Sequence, residues 1–337
     1  MTQRRALLVG AGQMGRTWAA NLVAAPDVEL VGWVDLQRDM AEHAAADLQL
    51  HVLIDDDLQR ALAHVRPDFV VDVTVPAAHH AVTLTALAAG VPVLGEKPMA
   101  DTLAHAREMV AASERVGQLY MVSQNRRYNA GLHALRQLIR DHVGAPGVLA
   151  SDFFIGAHFG GFRETMPQPL LLDMAIHTFD AARYVSGADP VAVYCETWNP
   201  PWSWYDGDAC ATALFEMTGG LRYTYRGSWC SDGQHTSWEG AWRAVGPHGT
   251  ATWDGQAAPV ADLVRAPGGF HAQTTPVRGN PDANMTSGIA GSLRDFLHAL
   301  NTGTTPMGEC HDNIKSLAMV FAAIESATTG QRVVIDL

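Results

Sequence analysis

Three side chains carry the chemistry this sequence can do. Lys97 stands in Gly95-Glu96-Lys97-Pro98 directly after an apolar run, and Asp173 and His177 lie four residues apart in LLLDMAIHTFDAARYV. A lysine can stabilise negative charge growing on an oxygen, and a histidine, with an ordinary pKa near 6.5, can take a proton from a hydroxyl. Four-residue spacing places Asp173 and His177 on one face of a helix, where the carboxylate can orient a substrate or steady the imidazolium. These are the groups that oxidation of an alcohol requires. Each also has a plainer reading: Lys97 as a surface lysine paired to Glu96, and Asp173 with His177 as a solvated or structural helix pair. Taken alone, the Asp-xxx-His spacing favours the plainer one.

A second constellation explains what would accept the electrons. Gly10, Gly12 and Gly15 form GAGQMG immediately after an apolar strand, with a helix-compatible stretch from Met14 to Ala25 behind them. In that context Gly10 permits a tight turn, Gly12 lets backbone approach a pyrophosphate, and Gly15 allows close packing of helix on strand, while the helix N-terminus favours negative charge. Gln13 and Met14 complete the loop as further cofactor contacts. Asp35 follows Gly15 by 20 residues at the end of the next strand, placed to accept hydrogen bonds from adenosine ribose hydroxyls. A carboxylate there favours NAD over NADP, although Arg38 is close enough in sequence to compensate a 2′-phosphate.

The elements that must hold these residues follow from hydrophobic patterning. Short apolar strands at Ala6 to Val9, Glu29 to Asp35, Asp68 to Val73, Val91 to Leu94 and Leu119 to Ser123 alternate with helices starting near Met14, Met40, Ala77 and Thr102. That alternation predicts a Rossmann-type doubly wound parallel sheet, with Gly90 and Gly117 ending helices. After a helical stretch near Asn129 to Asp141, Gly144-Ala145-Pro146-Gly147 punctuates the chain and the pattern changes. Val191 to Trp198, Ala209 to Met217, Leu221 to Trp229 and Trp242 to Val245 then read as strands of a mostly antiparallel sheet, Gly219-Gly220 turning one hairpin. Helices over Ser287 to Leu300 and Asp312 to Thr328 precede a last strand at Arg332 to Asp336. The expectation is an α/β chain: a dinucleotide-binding domain at 1–123 and an α+β domain with a large open sheet at 124–337.

Bulk composition narrows the partners. The 337 residues are 47% hydrophobic and 17% charged, ample for packed cores, and the formal charge of −12 offers no general field for nucleic acid or an anionic membrane. No apolar run approaches 18 residues, and the start MTQRRALLVGAG enters a core-like strand directly, so a cytoplasmic location and a small-molecule partner are expected. Cys195, Cys210, Cys230 and Cys310 show no metal spacing and read as buried thiols; no metal site is expected among the 15 histidines.

Together these motifs resemble the Gfo/Idh/MocA oxidoreductase family. The resemblance runs through GAGQMG, Asp35, VPAAHHAVTLTALAAGVPVLGEKPMA, NRRYN, LLDMAIHTFD and the closing AAIESATTGQRVVI. It implies that Lys97, Asp173 and His177 meet beside the nicotinamide as catalytic and substrate-binding groups. It also implies that Thr74, Pro76, His80, Glu96 and Asn125 are cofactor neighbours, and that the chain forms a homodimer or homotetramer through an exposed sheet face. For His79 and His80, capping or starting a solvent-facing helix is an equal reading; Arg126 or Arg127 can be structural ion pairs. Relatives often approach the aspartate through glycines, whereas this chain has Met166, Pro167, Gln168 and Pro169. His158, Arg163 and His235, near glycine-containing turns, are candidate substrate contacts, and the tryptophans of the second domain suit sugar rings as well as cores. The implied activity is hydride transfer between NAD and a secondary hydroxyl carbon of a sugar, inositol or related polyol. The alternatives are an NAD-dependent lyase or glycosidase that oxidises transiently, and a nonenzymatic NAD or sugar sensor.

Overall fold

Strands with apolar side chains on both faces need helices on both sides, and the first third of the chain supplies them. The computed structural model describes residues 3–266 and 268–336. It runs β1 (Arg4–Val9), α1 (Gln13–Ala24), β2 (Val28–Val34), α2 (Arg38–Asp47), β3 (Leu53–Asp55), α3 (Leu58–Val65), β4 (Phe69–Asp72), α4 (Pro76–Ala88), β5 (Val93–Gly95), α5 (Leu103–Val116) and β6 (Tyr120–Val122). The six strands are parallel in the order β3-β2-β1-β4-β5-β6. The order reverses between β1 and β4, the place where open α/β sheets bind ligands beyond their carboxyl ends.

Two of these elements escape sequence patterning. Strand β3 is three residues long, too short to show a period, and α3 begins at an unremarked cap, where the Asp57 side chain accepts from the Arg60 N–H at 2.8 Å. Gly90 and Gly117 take φ of +75° and +64°, as expected where α4 and α5 end.

The second part contains α6 (Ala130–Leu138), running into a π-helical turn at Ile139–Val143, then β7 (Val148–Phe154), a π-helical segment (Leu170–Ala175) continuing as α7 (Ile176–Ser186), β8 (Pro190–Trp198), β9 (Cys210–Met217), β10 (Arg222–Ser228), β11 (Ala241–Gly246), β12 (Gly249–Trp253), β13 (Val260–Ala266) and β14 (Gln273–Arg278). Helices α8 (Gly288–Thr302) and α9 (Cys310–Thr329) precede β15 (Val333–Val334). The nine-stranded sheet has the order β14-β13-β12-β11-β7-β10-β9-β8-β15, antiparallel except where β7 pairs with β10. Its inner face is sealed by α7, whose Phe179 packs edge-on against Phe215 at 4.8 Å and Tyr225 at 5.2 Å. Gly219 and Gly220, with φ of +70° and +80°, turn β9 into β10.

Packing divides the chain into Met1–Asn125 with Thr286–Ile314, and Arg126–Met285 with Lys315–Leu337. The first unit thus takes in α8, whose Phe296 meets Phe69 of β4 at 5.5 Å. All four cysteines are free and buried, and burial pushes Cys195 up to about 12 and Cys210 up to about 11. Among the described residues no helix is long and apolar enough to cross a membrane.

Candidate active site

The glycine loop makes the turn and the close helix–strand approach that its sequence implies. Gly10 takes φ +103°, and a Cβ there would lie 2.7 Å from the Val73 carbonyl oxygen. A Cβ on Gly15 would lie 2.1 Å from the Gly10 carbonyl oxygen, so α1 sits too close to β1 for any side chain. Gly12, by contrast, has nothing within 4 Å of its missing Cβ: its backbone borders open space. Asp35, past the end of β2, accepts the Ala11 N–H at 2.7 Å through one oxygen and the Gln37 N–H at 2.8 Å through the other. Each oxygen keeps a lone pair for further donors. Arg38 pairs with Glu42 at 2.8 Å on the exposed side of α2.

Beyond β4 lies a polar cluster whose centre, Asp72, sequence reading passed over. Asp72 is fully buried at the end of β4; it accepts the Thr74 N–H at 3.1 Å and hydroxyl at 2.7 Å and pairs with His79 Nδ1 at 3.0 Å. Burial works to lower the His79 pKa, but the Asp72 carboxylate, with Glu96 and Asp101 adding to it, turns the net displacement upward. His79 lies near the start of α4, but it is buried rather than facing solvent. Its neighbour His80 stacks on His105 at 4.2 Å and bonds Glu108 at 2.7 Å, while Pro76 opens α4. The signal available for Asp72 was a carboxylate within the apolar run Phe69-Val70-Val71-Asp72-Val73.

Glu96 is a brace. One of its oxygens accepts the Trp18 indole N–H at 2.8 Å and the other the Lys97 backbone N–H at 3.0 Å, and burial pushes its carboxyl pKa up. With Glu96 buried and bonded to Trp18 and to the Lys97 main chain, the half-buried Lys97 leaves the carboxyl end of β5 with its main chain fixed. Just past β6, the Asn125 Oδ1 and both side-chain polar atoms of Gln124 are buried without a hydrogen-bond partner. Orphaned polar atoms at this sheet edge, an open backbone at Gly12 and a ready acceptor at Asp35 fit a dinucleotide.

In the second unit, Asp173 and His177 do not share one regular α-helix. Asp173 lies in the π-helical segment that opens directly into α7, and the buried His177 stands in the first turn of α7. The wider turn of a π-helix, common at functional sites, alters the simple four-residue face. Asp173 Oδ2 accepts from Arg163 Nε at 3.0 Å, bringing two predicted substrate residues together. His158 instead stacks on Trp204 at 3.7 Å with Asp232 3.5 Å away, and His235 Nε2 accepts the Gly156 N–H at 3.2 Å. The Met166–Pro169 approach is pinned where Gly207 packs against it: a Cβ there would lie 2.2 Å from the Met166 carbonyl oxygen. Arg127 forms a buried two-point bridge to Asp180, at 2.7 Å on each side. Of the tryptophans, Trp229, Trp242 and Trp253 are buried, whereas Trp198, Trp202 and Trp238 are exposed. In the first unit Glu309, Cys310 and His311 bring ligand-type atoms within 4.8 Å of one another, but Glu309 also accepts the His311 backbone N–H at 2.9 Å, which is ordinary helix-start geometry.

A doubly wound sheet with a glycine loop after β1, a carboxylate past β2 and a lysine at its carboxyl edge is the framework of an NAD-binding oxidoreductase. Residues 4–124 match the model of an oxidoreductase family with an NAD-binding Rossmann fold, and residues 103–252 match the Gfo/Idh/MocA C-terminal domain. The chain belongs to the Gfo/Idh/MocA family. An uncharacterised protein of Sinorhizobium fredii is 30% identical across 98% of this chain and 95% of its own. D-glucoside 3-dehydrogenase of Escherichia coli is 31% identical over 54% of each chain. An oxidoreductase from Agrobacterium radiobacter, solved with NAD+, L-tartaric acid and magnesium, superposes with a TM-score of 0.86 over 99% of both chains at 22% identity.

Proposed function

We propose that the chain is an NAD-dependent dehydrogenase acting on a secondary hydroxyl carbon of a sugar, inositol or related polyol. The observation that carries this is Lys97, its main chain anchored by buried Glu96 at the carboxyl end of β5, on the same sheet edge as the Gly10–Gly15 loop and Asp35. Relatives named D-glucoside 3-dehydrogenase and inositol 2-dehydrogenase support the substrate class.

NAD, when bound, supplies the hydride acceptor. Gly10, Gly12, Gln13, Met14 and Gly15 receive its pyrophosphate at the start of α1, Asp35 takes the ribose hydroxyls, and Thr74, Pro76, His80, Lys97 and Asn125 border its other half. Glu96 acts through the Lys97 main chain. Lys97 stabilises charge on the substrate oxygen, His177 takes the hydroxyl proton, and Asp173, held by Arg163, orients the reacting group. The 1–123 and 124–337 segments divide the work of cofactor and substrate binding. The outer face of the nine-stranded sheet, which exposes Val191, Tyr194, Trp198 and Leu214, packs against a second copy in a homo-oligomer.

Absorbance at 340 nm with NAD and a panel of inositols, aldoses and glycosides tests the activity. Steady NADH formation with one class supports it; measurable NAD binding with no net NADH from these or from sugar acids refutes it in favour of a lyase or a sensor. Monomers alone in light scattering at micromolar concentration would refute the assembly.

A further inference from the structure

We propose that Arg126, together with Arg163, selects a substrate that carries a carboxylate, a sugar acid rather than a neutral sugar; the inference rests on the dehydrogenase reading above. Arg126 is a largely enclosed guanidinium with a side-chain exposure of 18%. Its nearest carboxylate oxygen, on Glu239, is 3.9 Å away, beyond hydrogen-bond reach. One Nη1–H goes to the Trp238 carbonyl and one Nη2–H to the Met174 sulfur at 3.4 Å. A guanidinium offers five N–H donors, so three of those on Arg126 have no partner among the described residues. Those donors are only partly enclosed, so they stand open to a ligand that can accept them.

The surroundings say what that would be. Met174 adjoins Asp173, which holds Arg163 at 3.0 Å; Arg163 lies over the rings of Phe159 at 5.0 Å and Phe162 at 4.9 Å. Phe159 meets Trp229 at 5.3 Å, Trp229 meets Trp238 at 5.7 Å, and the Trp238 carbonyl returns to Arg126. The contacts close a circuit: two guanidiniums beside candidate catalytic Asp173, joined by an aromatic wall whose Phe159 and Trp238 are 44% and 49% exposed. Flat aromatic faces suit a sugar ring, and the arginine fork suits the planar, two-oxygen geometry of a carboxylate. Asp173 and Glu239 balance the two cations, so a single negative charge fits here better than the dianion of a phosphate ester.

The test measures kcat/KM for NAD reduction with D-glucuronate and D-gluconate against D-glucose, D-glucitol and D-glucose 6-phosphate, together with the thermal shift each produces in the NAD-loaded protein. The expected result is a preference of about 10-fold or more for the acids, and an acid-to-neutral ratio that Arg126→Gln lowers about 10–100-fold, chiefly through KM, and Arg126→Lys lowers less. Neutral sugars or the phosphate ester turned over as well as the acids, or an unchanged ratio in Arg126→Gln, would overturn the inference. If no compound reduces bound NAD, the dehydrogenase reading fails by itself. The anion site is then decided by whether the acids, and not the neutral sugars, raise the melting temperature of wild type and fail to do so in Arg126→Gln.

Discussion

Gly12→Ala and Gly15→Ala differ by one methyl each, yet the loop geometry demands opposite consequences. At Gly15 the added Cβ would stand 2.1 Å from the Gly10 carbonyl oxygen, a distance no real contact allows, so α1 or the loop must move. Overpacking of this kind costs about 1–3 kcal/mol, which at about 2–4 °C per kcal/mol lowers the melting temperature of the NAD-free protein by about 2–12 °C. At Gly12 the methyl meets nothing within 4 Å, and φ is −68°, a value any residue adopts. The NAD-free melting temperature should then stay within about 2 °C, since a surface substitution shifts stability by about 0.5 kcal/mol or less. Where the loop receives a pyrophosphate, as proposed, the methyl stands between it and the backbone. Loss of one charge-assisted hydrogen bond, about 1.5–3 kcal/mol, raises the dissociation constant for NAD about 10–100-fold. At a concentration 1,000 times the wild-type constant, NAD stabilises wild type by about 4 kcal/mol and a variant weakened 100-fold by about 1.4 kcal/mol. Scanning fluorimetry with and without NAD, and calorimetric titration of NAD, read both effects. Gly12→Ala binding NAD within twofold of wild type would refute the placement of the pyrophosphate, and Gly15→Ala melting with wild type would refute the packing argument.

Three further outcomes follow from the same geometry. His177→Ala should lower turnover about 10²–10⁴-fold while NAD affinity moves less than about threefold; unchanged turnover in stopped-flow assays would remove His177 from its role. His79 is displaced above its ordinary value of 6.5 by Asp72 in spite of burial, so its stabilisation is complete below pH 6.5 and is lost as pH rises through the higher folded value. Wild type should accordingly lose more melting temperature between pH 6.5 and higher pH than His79→Gln, and parallel profiles would contradict the Asp72 pairing. Arg127→Met strands the buried Asp180 carboxylate, which then keeps the Ser316 hydroxyl at 2.7 Å but loses its cation. The cost should be about 3–5 kcal/mol, seen in calorimetry as a fall of about 6–20 °C, and a fall under about 2 °C would show that the bridge contributes little.

What the sequence determined by itself was local. The turn at Gly10, the small residue at Gly15, the carboxylate at Asp35, the apolar strand and helix patterns around them and the hairpin at Gly219-Gly220 are written in short stretches of sequence. There, backbone sterics and a period of 2 or 3.6 leave few choices. The order Lys97, then Asp173 and His177, was likewise readable, because chemistry restricts residue type more tightly than packing does. Only the tertiary structure decided the rest. It made Glu96 a buried brace on Lys97 through Trp18, 78 positions away, and buried His79 against Asp72 rather than leaving it on a solvent-facing turn. It widened the helix at Asp173 into a π-turn and brought Arg126 to Trp238, 112 positions along the chain. Short strands such as β3 and the long-range partners of buried charges are chosen by what packs against them. A partner brought close by the fold alters a side chain's environment by more than its neighbours in sequence can, and no periodicity records it.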